Sequence, residues 1–172
     1  MLYLLDANTL IDAKRDYYPM QRVPEFWDWL VHHGDSGNVK IPIEVYEEFS
    51  EAADAAGNKD ELATWADRVR TKEALVLGEE ANAIVVSTVI YTGYMADPTD
   101  EEIEQIGRDP FLISYALTDI TGRCVVTTET SKPKRRRSNK HIPDVCEDLG
   151  VRCINTFGLV NELNFSTDQT KW

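Results

Sequence analysis

Two hydrophobic rhythms alternate along this chain. Short apolar runs recur at Leu2 to Leu5, Val39 to Ile41, Arg123 to Thr127 and in VRCIN near residue 153. Runs this short, rich in β-compatible residues, predict buried strands. Between them, apolar positions fall at helical spacing. Leu10, Ile11 and Ala13 follow a possible cap at Asn8 or Thr9, the residue types that accept a first-turn amide. PEFWDWLVHHG predicts a helix that opens on Pro24, places Phe26, Trp27, Leu30 and Val31 on one face, and stops at Gly34. The aromatic residues of that stretch are read as core. A third helix is expected from Ile43 through about Ala56, with Val45, Phe49 and Ala53 one turn apart and Gly57-Asn58 ending it.

The second half continues in the same way. A helix is expected from about Asp60 to Arg70, and EEANAIVVSTVIYTGYM is read as helix because it is too long for a strand. DPTDEE then turns into a helix start, and DPFLISYAL predicts an apolar helix beginning at Asp109. The polar, basic stretch TETSKPKRRRSNKH reads as a loop, IPDVCEDLG as a helix and FGLVNEL as the last one. Strands that alternate with helices and carry no polar face argue for an α/β fold, a short-stranded parallel sheet with helices on both faces. With no internal repeat and no boundary, residues 1–172 are read as one domain.

Composition narrows the chemistry. No run of about 18 apolar residues predicts a membrane span, and the N-terminal apolar run stops at Asp6, short of a signal-peptide core. The three cysteines, Cys124, Cys146 and Cys153, form no CxxC pair. Reduced thiols in a cytoplasmic protein are therefore expected. The net charge is −12, with 30 acidic against 18 basic residues. Such a balance argues against a simple nucleic-acid binder, yet it also suits a carboxylate site that awaits a cation. Five of the basic residues, Lys132, Lys134, Arg135, Arg136 and Arg137, lie in one short stretch.

In open parallel sheets, ligands bind beyond the carboxyl ends of the strands. Asp6 follows the first strand and Glu129 follows the third. Glu44, Glu47 and Glu48 lie on the helix after the second strand, and Asp109 opens the helix before the third. Each has an ordinary explanation: Asp6 and Asp109 as helix caps, the glutamates as a solvated face, Glu129 as a loop residue. Their convergence on one edge is the stronger signal. Like charges repel unless a cation compensates them, and hard cations such as Mg²⁺ or Mn²⁺ prefer oxygen ligands. On the helix, Glu44 and Glu48 flank the stripe made by Val45 and Phe49. Glu47, about 100° from Glu48, points to solvent. Glu48 is ranked first and Glu44 second. Asp12 lies nearly two turns beyond Asp6 and drops out.

Read in order, YLLDANTLID, IPIEVYEEF, RDPFLISYAL and CVVTTE resemble the four motifs of the PIN-domain family of metal-dependent ribonucleases, which includes toxins of toxin–antitoxin pairs. The resemblance covers nearly the whole chain. It implies a PIN-like three-layer fold and an acidic cluster of Asp6, Glu48, Asp109 and Glu129 that serves as metal ligands and catalytic site. Asn8 or Thr9 would support Asp6 by hydrogen bonding, with Thr127 and Glu44 beside them. It also implies a helical insertion at about 58–106, longer than in minimal members, and a glutamate at 129 where the family usually has aspartate. The implied activity is hydrolysis of RNA phosphodiester bonds with Mg²⁺ or Mn²⁺. RNA is then the substrate, a protein antitoxin the partner, and a homodimer a possible assembly. The basic stretch 132–137 follows the fourth motif and would grip RNA phosphates.

Two other readings stay open. A PIN-like module that binds RNA or protein without cutting fits the acidic balance. DANT also differs by one residue from the DxDxT motif of haloacid-dehalogenase-like phosphatases, with Asn8 in place of the second aspartate. That alternative would form an aspartyl-phosphate at Asp6, with Lys132 as its lysine and Glu147-Asp148 as its acidic pair.

Overall fold

The N-terminal apolar run forms β1 (Leu2–Leu5), whose Leu4 and Leu5 are completely buried. In the computed structural model, which describes residues 1–53 and 57–172, β1 is one of the two inner strands of a four-stranded sheet. The other strands are β2 (Val39–Lys40), β3 (Arg123–Val126) and β4 (Cys153–Ile154), in the order β2-β1-β3-β4. All pairings are parallel, with Tyr3 opposite Val39, Leu5 opposite Val126, and Val126 opposite Ile154. Parallel neighbours need crossovers, and the helices supply them. They cover both faces of the sheet, which is why the strands lack a polar face.

Beyond the strands proper the ladder runs one step further. The Asp6 amide donates to the Val126 carbonyl at 2.9 Å, and the Thr127 amide donates to the Ile154 carbonyl at 3.1 Å. Asp6 and Thr127 are thus fixed by backbone bonds at the carboxyl edge of the sheet. Helix α1 (Ala7–Asp12) starts at once and continues as a π-helical turn over Ala13–Tyr17. The cap position is held by Asp6 itself, not by Asn8 or Thr9 as the sequence suggested. Both of those residues lie inside the first turn, because the ladder holds Asp6 extended until its own position.

Helix α2 (Pro24–Asp35) buries Phe26, Trp27, Trp29, Leu30 and Val31, so its aromatic residues are core. Phe26 stacks on Tyr18 with centroids 4.1 Å apart and meets Phe165 edge-on. Helix α3 (Ile43–Ser50) is shorter than expected. It stops at Ser50, and Ala53 instead makes a bridge with Lys59; residues 54–56 lie outside the described residues. The expected helix from Asp60 to Arg70 is two helices, α4 (Glu61–Ala66) and α5 (Val69–Leu75). The Asp60 carboxylate caps α4 by accepting from the Ala63 amide at 2.8 Å. The break turns α5 across α2 at Gly34, where an added Cβ would lie 2.8 Å from the Ala74 carbonyl oxygen.

Helix α6 (Ala83–Thr88) is capped by Asn82 and passes into a π-helical turn over Val89–Tyr94. The ambiguous apolar stretch is therefore helical. Thr99 and Glu102 form a reciprocal capping box at the start of α7 (Asp100–Ile106), and α8 (Asp109–Leu117) follows. After β3 come α9 (Ile142–Leu149), ended by left-handed Gly150, and α10 (Thr156–Glu162). No helix among the described residues is long and apolar enough to cross a membrane.

Candidate functional site

Four carboxylates from four distant segments meet at the carboxyl edge of the sheet. The strongest sign is at Asp109, whose carboxyl is pushed up to about 8, first by burial and then by the charges of Asp6, Glu129 and Glu48 in turn. A group can be perturbed by three other acids only if all of them lie within its electrostatic reach. Asp109 is delivered by the first turn of α8, beside Pro110, so the helix that buries Leu112 and Ile113 also brings its opening residue within electrostatic reach of Asp6 at the end of β1.

Asp6 is 4% exposed. Its Oδ2 accepts the Thr127 hydroxyl at 2.7 Å, and the same hydroxyl oxygen accepts the Glu129 amide at 3.1 Å. Thr127 therefore joins the first and fourth acids of the chain order, Asp6 and Glu129, through one side chain. Burial pushes the Asp6 carboxyl up to about 6; the Thr127 bond opposes the shift and the charge of Glu129 adds to it. The backbone amides of Asn8 and Ala7 also favour its charged form. The support expected from the Asn8 and Thr9 side chains takes another course. Asn8 is exposed, and the Thr9 hydroxyl donates to the Val126 carbonyl at 3.0 Å, which ties α1 to the end of β3.

Glu48 leans over the rim from α3. Loss of solvent raises its carboxyl first and the charge of Asp6 second, while Arg108 opposes them. Glu47 points away, as the helical wheel required, and pairs with Arg108 at 3.1 Å. Glu44 is not part of the cluster. One of its oxygens accepts the Tyr115 hydroxyl at 3.4 Å, and the other is buried without a partner. Tyr115 lies on α8 well beyond Asp109, and Glu44, one turn before Glu48 at the start of α3, is drawn to it and away from the rim.

Glu129 is held from both ends. Its amide bonds Thr127, and its Oε2 accepts the first amide of α9, Ile142, at 2.8 Å. The glutamate's extra length is what lets it reach that helix start, where the dipole favours an anion. The His141 ring lies beside it, with Nδ1 3.9 Å from Oε2.

The basic stretch divides. Arg137 pairs with Asp97 at 2.8 Å and with Glu102 at 2.6 Å, so its charge is spent on the segment before α8. Ser138 bonds Gln105 there at 2.8 Å. Arg136 folds back onto the carbonyls of Pro133 and Arg135. The start of the stretch is anchored by Asp144, which accepts the Ser131 hydroxyl at 2.6 Å and the Lys132 amide at 2.8 Å. Arg135, Arg136 and Lys140 line a cleft of about 340 Å³ against α9, while Lys132, Lys134 and Arg135 line an open apolar hollow beside Pro133. The Lys132 and Lys134 side chains take no part in the pairs that occupy Arg137.

Sequence reasoning missed two residues near the cluster. Tyr94 donates its hydroxyl to Asp109 Oδ2 at 3.4 Å, and nothing in the ambiguous stretch that carries it marks it out. Asp12, set aside on spacing, accepts the Thr128 hydroxyl at 2.6 Å and pairs with Arg15, so it steadies the loop that bears Glu129.

Among the described residues no three His, Cys, Asp or Glu side chains form a ready-made cation cage. The donor set nonetheless suits a hard divalent cation. It is all oxygen and like-charged, and the Asp109 and Asp6 carboxyls are raised first by burial and then by their neighbours' charges, both of which a bound cation would offset.

No curated protein and no solved structure matches the chain. A family model described as a domain of unknown function, DUF4411, matches residues 3–167, and the chain belongs to that family.

Proposed function

We propose that this protein is a divalent-metal-dependent endoribonuclease of the PIN-like class. One observation carries the reading: Asp6, Glu48, Asp109 and Glu129, separated by tens of residues, act on one another at the carboxyl edge of a parallel sheet. Such a convergence is unfavourable by itself, and metal-assisted phosphodiester hydrolysis is the chemistry that uses it. Mg²⁺ or Mn²⁺, when bound, would polarise the phosphate and make a water nucleophilic at neutral pH.

The chain's own residues then have separate tasks. Asp6, Asp109 and Glu48 offer carboxylate oxygens to the cation. Glu129, tied by one oxygen to α9, has its other oxygen for the cation or for the attacking water. Thr127 holds Asp6 in place. Lys132, Lys134, Arg135 and Arg136 bind RNA phosphates beside the cut; Arg137 holds the shape of that arm and does not contact RNA. The three free cysteines and an RNA substrate fit a cytoplasmic protein. A nuclease of this kind would be held in check by a protein antitoxin and could assemble as a homodimer.

The test is cleavage of a labelled RNA with Mn²⁺, comparing wild type with Asp6→Asn. Wild type is expected to cut, and the variant to lose more than the 10–100-fold that partners outside the metal shell usually carry. RNA loss that persists unchanged in Asp6→Asn, or that no divalent cation elicits, refutes the proposal. RNA bound but uncut would mark a binding module, and phosphate trapped on Asp6 would mark a phosphatase.

A further inference from the structure

The segment between α3 and α8 reads in sequence as an insertion on a finished site. Its last π-helical turn, Val89–Tyr94, nevertheless ends against Asp109. A π turn widens the helix and re-aims the residues at its end, and such turns are frequent at functional sites. Here it buries Tyr94 to 5% exposure and directs the hydroxyl at Asp109 Oδ2.

The approach is built from both sides. Gly93 lies so close to α9 that an added Cβ would stand 2.7 Å from Val145 Cγ1. The Lys140 ammonium donates to the Gly93 carbonyl, which clamps the turn to the start of α9. Arg137 ties Asp97 and Glu102, just beyond Tyr94, to the same arm. Tyr94 therefore has little freedom to turn away, and a buried phenol requires an acceptor.

We propose that Tyr94 is a positioning residue of the acidic site: its hydroxyl fixes Asp109 Oδ2 and leaves Oδ1 available to a cation shared with Asp6 and Glu48. This rests on the nuclease reading. It assigns the helical segment before α8 a part in the site. Hydrogen bonds to ligating carboxylates typically account for 10–100-fold in metal affinity.

The experiment is a Mn²⁺ titration of the full chain at fixed pH, followed by the loss of the free-ion electron paramagnetic resonance signal. Tyr94→Phe keeps the ring and removes only the hydroxyl; its Kd for Mn²⁺ is expected to rise about tenfold with the number of sites unchanged. Tyr115→Phe removes a similar hydroxyl that bonds Glu44 outside the cluster, and its Kd is expected to stay at the wild-type value. In cleavage assays, saturating Mn²⁺ is expected to restore the maximal rate of Tyr94→Phe. A Kd for Tyr94→Phe that matches wild type overturns the proposal and leaves the nuclease reading intact. So does a loss of sites at unchanged Kd, which is the mark of a folding defect. Absence of Asp6-dependent Mn²⁺ binding in wild type refutes both.

Discussion

Replacing Asp109 by asparagine isolates the cost of burying a carboxylate among the other acids of the cluster. The Asp109 carboxyl is raised from its ordinary 3.8 to about 8 in the folded protein. A folded state that keeps a proton which the unfolded chain has released loses stability as pH rises between those two values. At about 1.36 kcal/mol per unit, and allowing for the levelling near the upper value, Asp109 alone should remove about 2 kcal/mol between about pH 6.5 and 8.5. Asp6, raised only to about 6, has nearly completed its own decline by the start of that window and adds little. For a chain of this size, about 2 kcal/mol corresponds to about 4–8 °C in melting temperature. Urea denaturation in a chelating buffer, followed by the fluorescence of the four tryptophans, measures the effect. Wild type is expected to weaken across the window, whereas Asp109→Asn, neutral throughout, is expected to lose most of that slope. Excess Mn²⁺ should reverse the trend for wild type, by about 2.7 kcal/mol at a hundred times Kd, and do much less for the variant. Equal slopes for the two proteins without metal would refute the reasoning, because they would mean that burial and the neighbouring charges do not raise Asp109 as assigned.

Other expectations separate neighbouring residues. Glu48→Gln should weaken Mn²⁺ binding at least about tenfold by the same titration, whereas Glu47→Gln, which only unpairs Arg108, should leave it unchanged. In fluorescence-anisotropy titrations of single-stranded RNA at several salt concentrations, Arg135→Ala and Arg136→Ala should each reduce the slope of log K against log salt by about 0.7. Arg137→Ala should leave that slope in place, since its charge is already paired with Asp97 and Glu102.

Residues that act through local periodicity were legible before any fold was known. The run that ends at Asp6, the face of α2 with Phe26 and Leu30, and the outward turn of Glu47 all follow from spacing of two or 3.6 residues. The alternation of short apolar strands with helices was enough for a parallel α/β sheet, and hence for the edge at which Asp6 and Glu129 emerge. Glu44 was misplaced beside Glu48 because a helical wheel resolves direction around an axis but not distance along it. The tertiary structure decides that distance, and it sets Glu44 against Tyr115. Helix ends were misjudged at Ser50, beyond which Ala53 bridges Lys59, and between Ala66 and Val69, where packing of α5 against α2 at Gly34 outweighs local propensity.

The sequence by itself determined which carboxylates stand at the ends of strands and helices, because hydrophobic runs and their polar stops are local. Only the tertiary structure decided how far those charges act on one another and what holds them. Thr127 bridges Asp6 and Glu129, Tyr94 reaches Asp109 from the segment before α8, and Arg137 is withdrawn into ion pairs. Each of those partnerships joins residues that only the folded backbone brings within hydrogen-bond range, and a linear pattern contains no such distance.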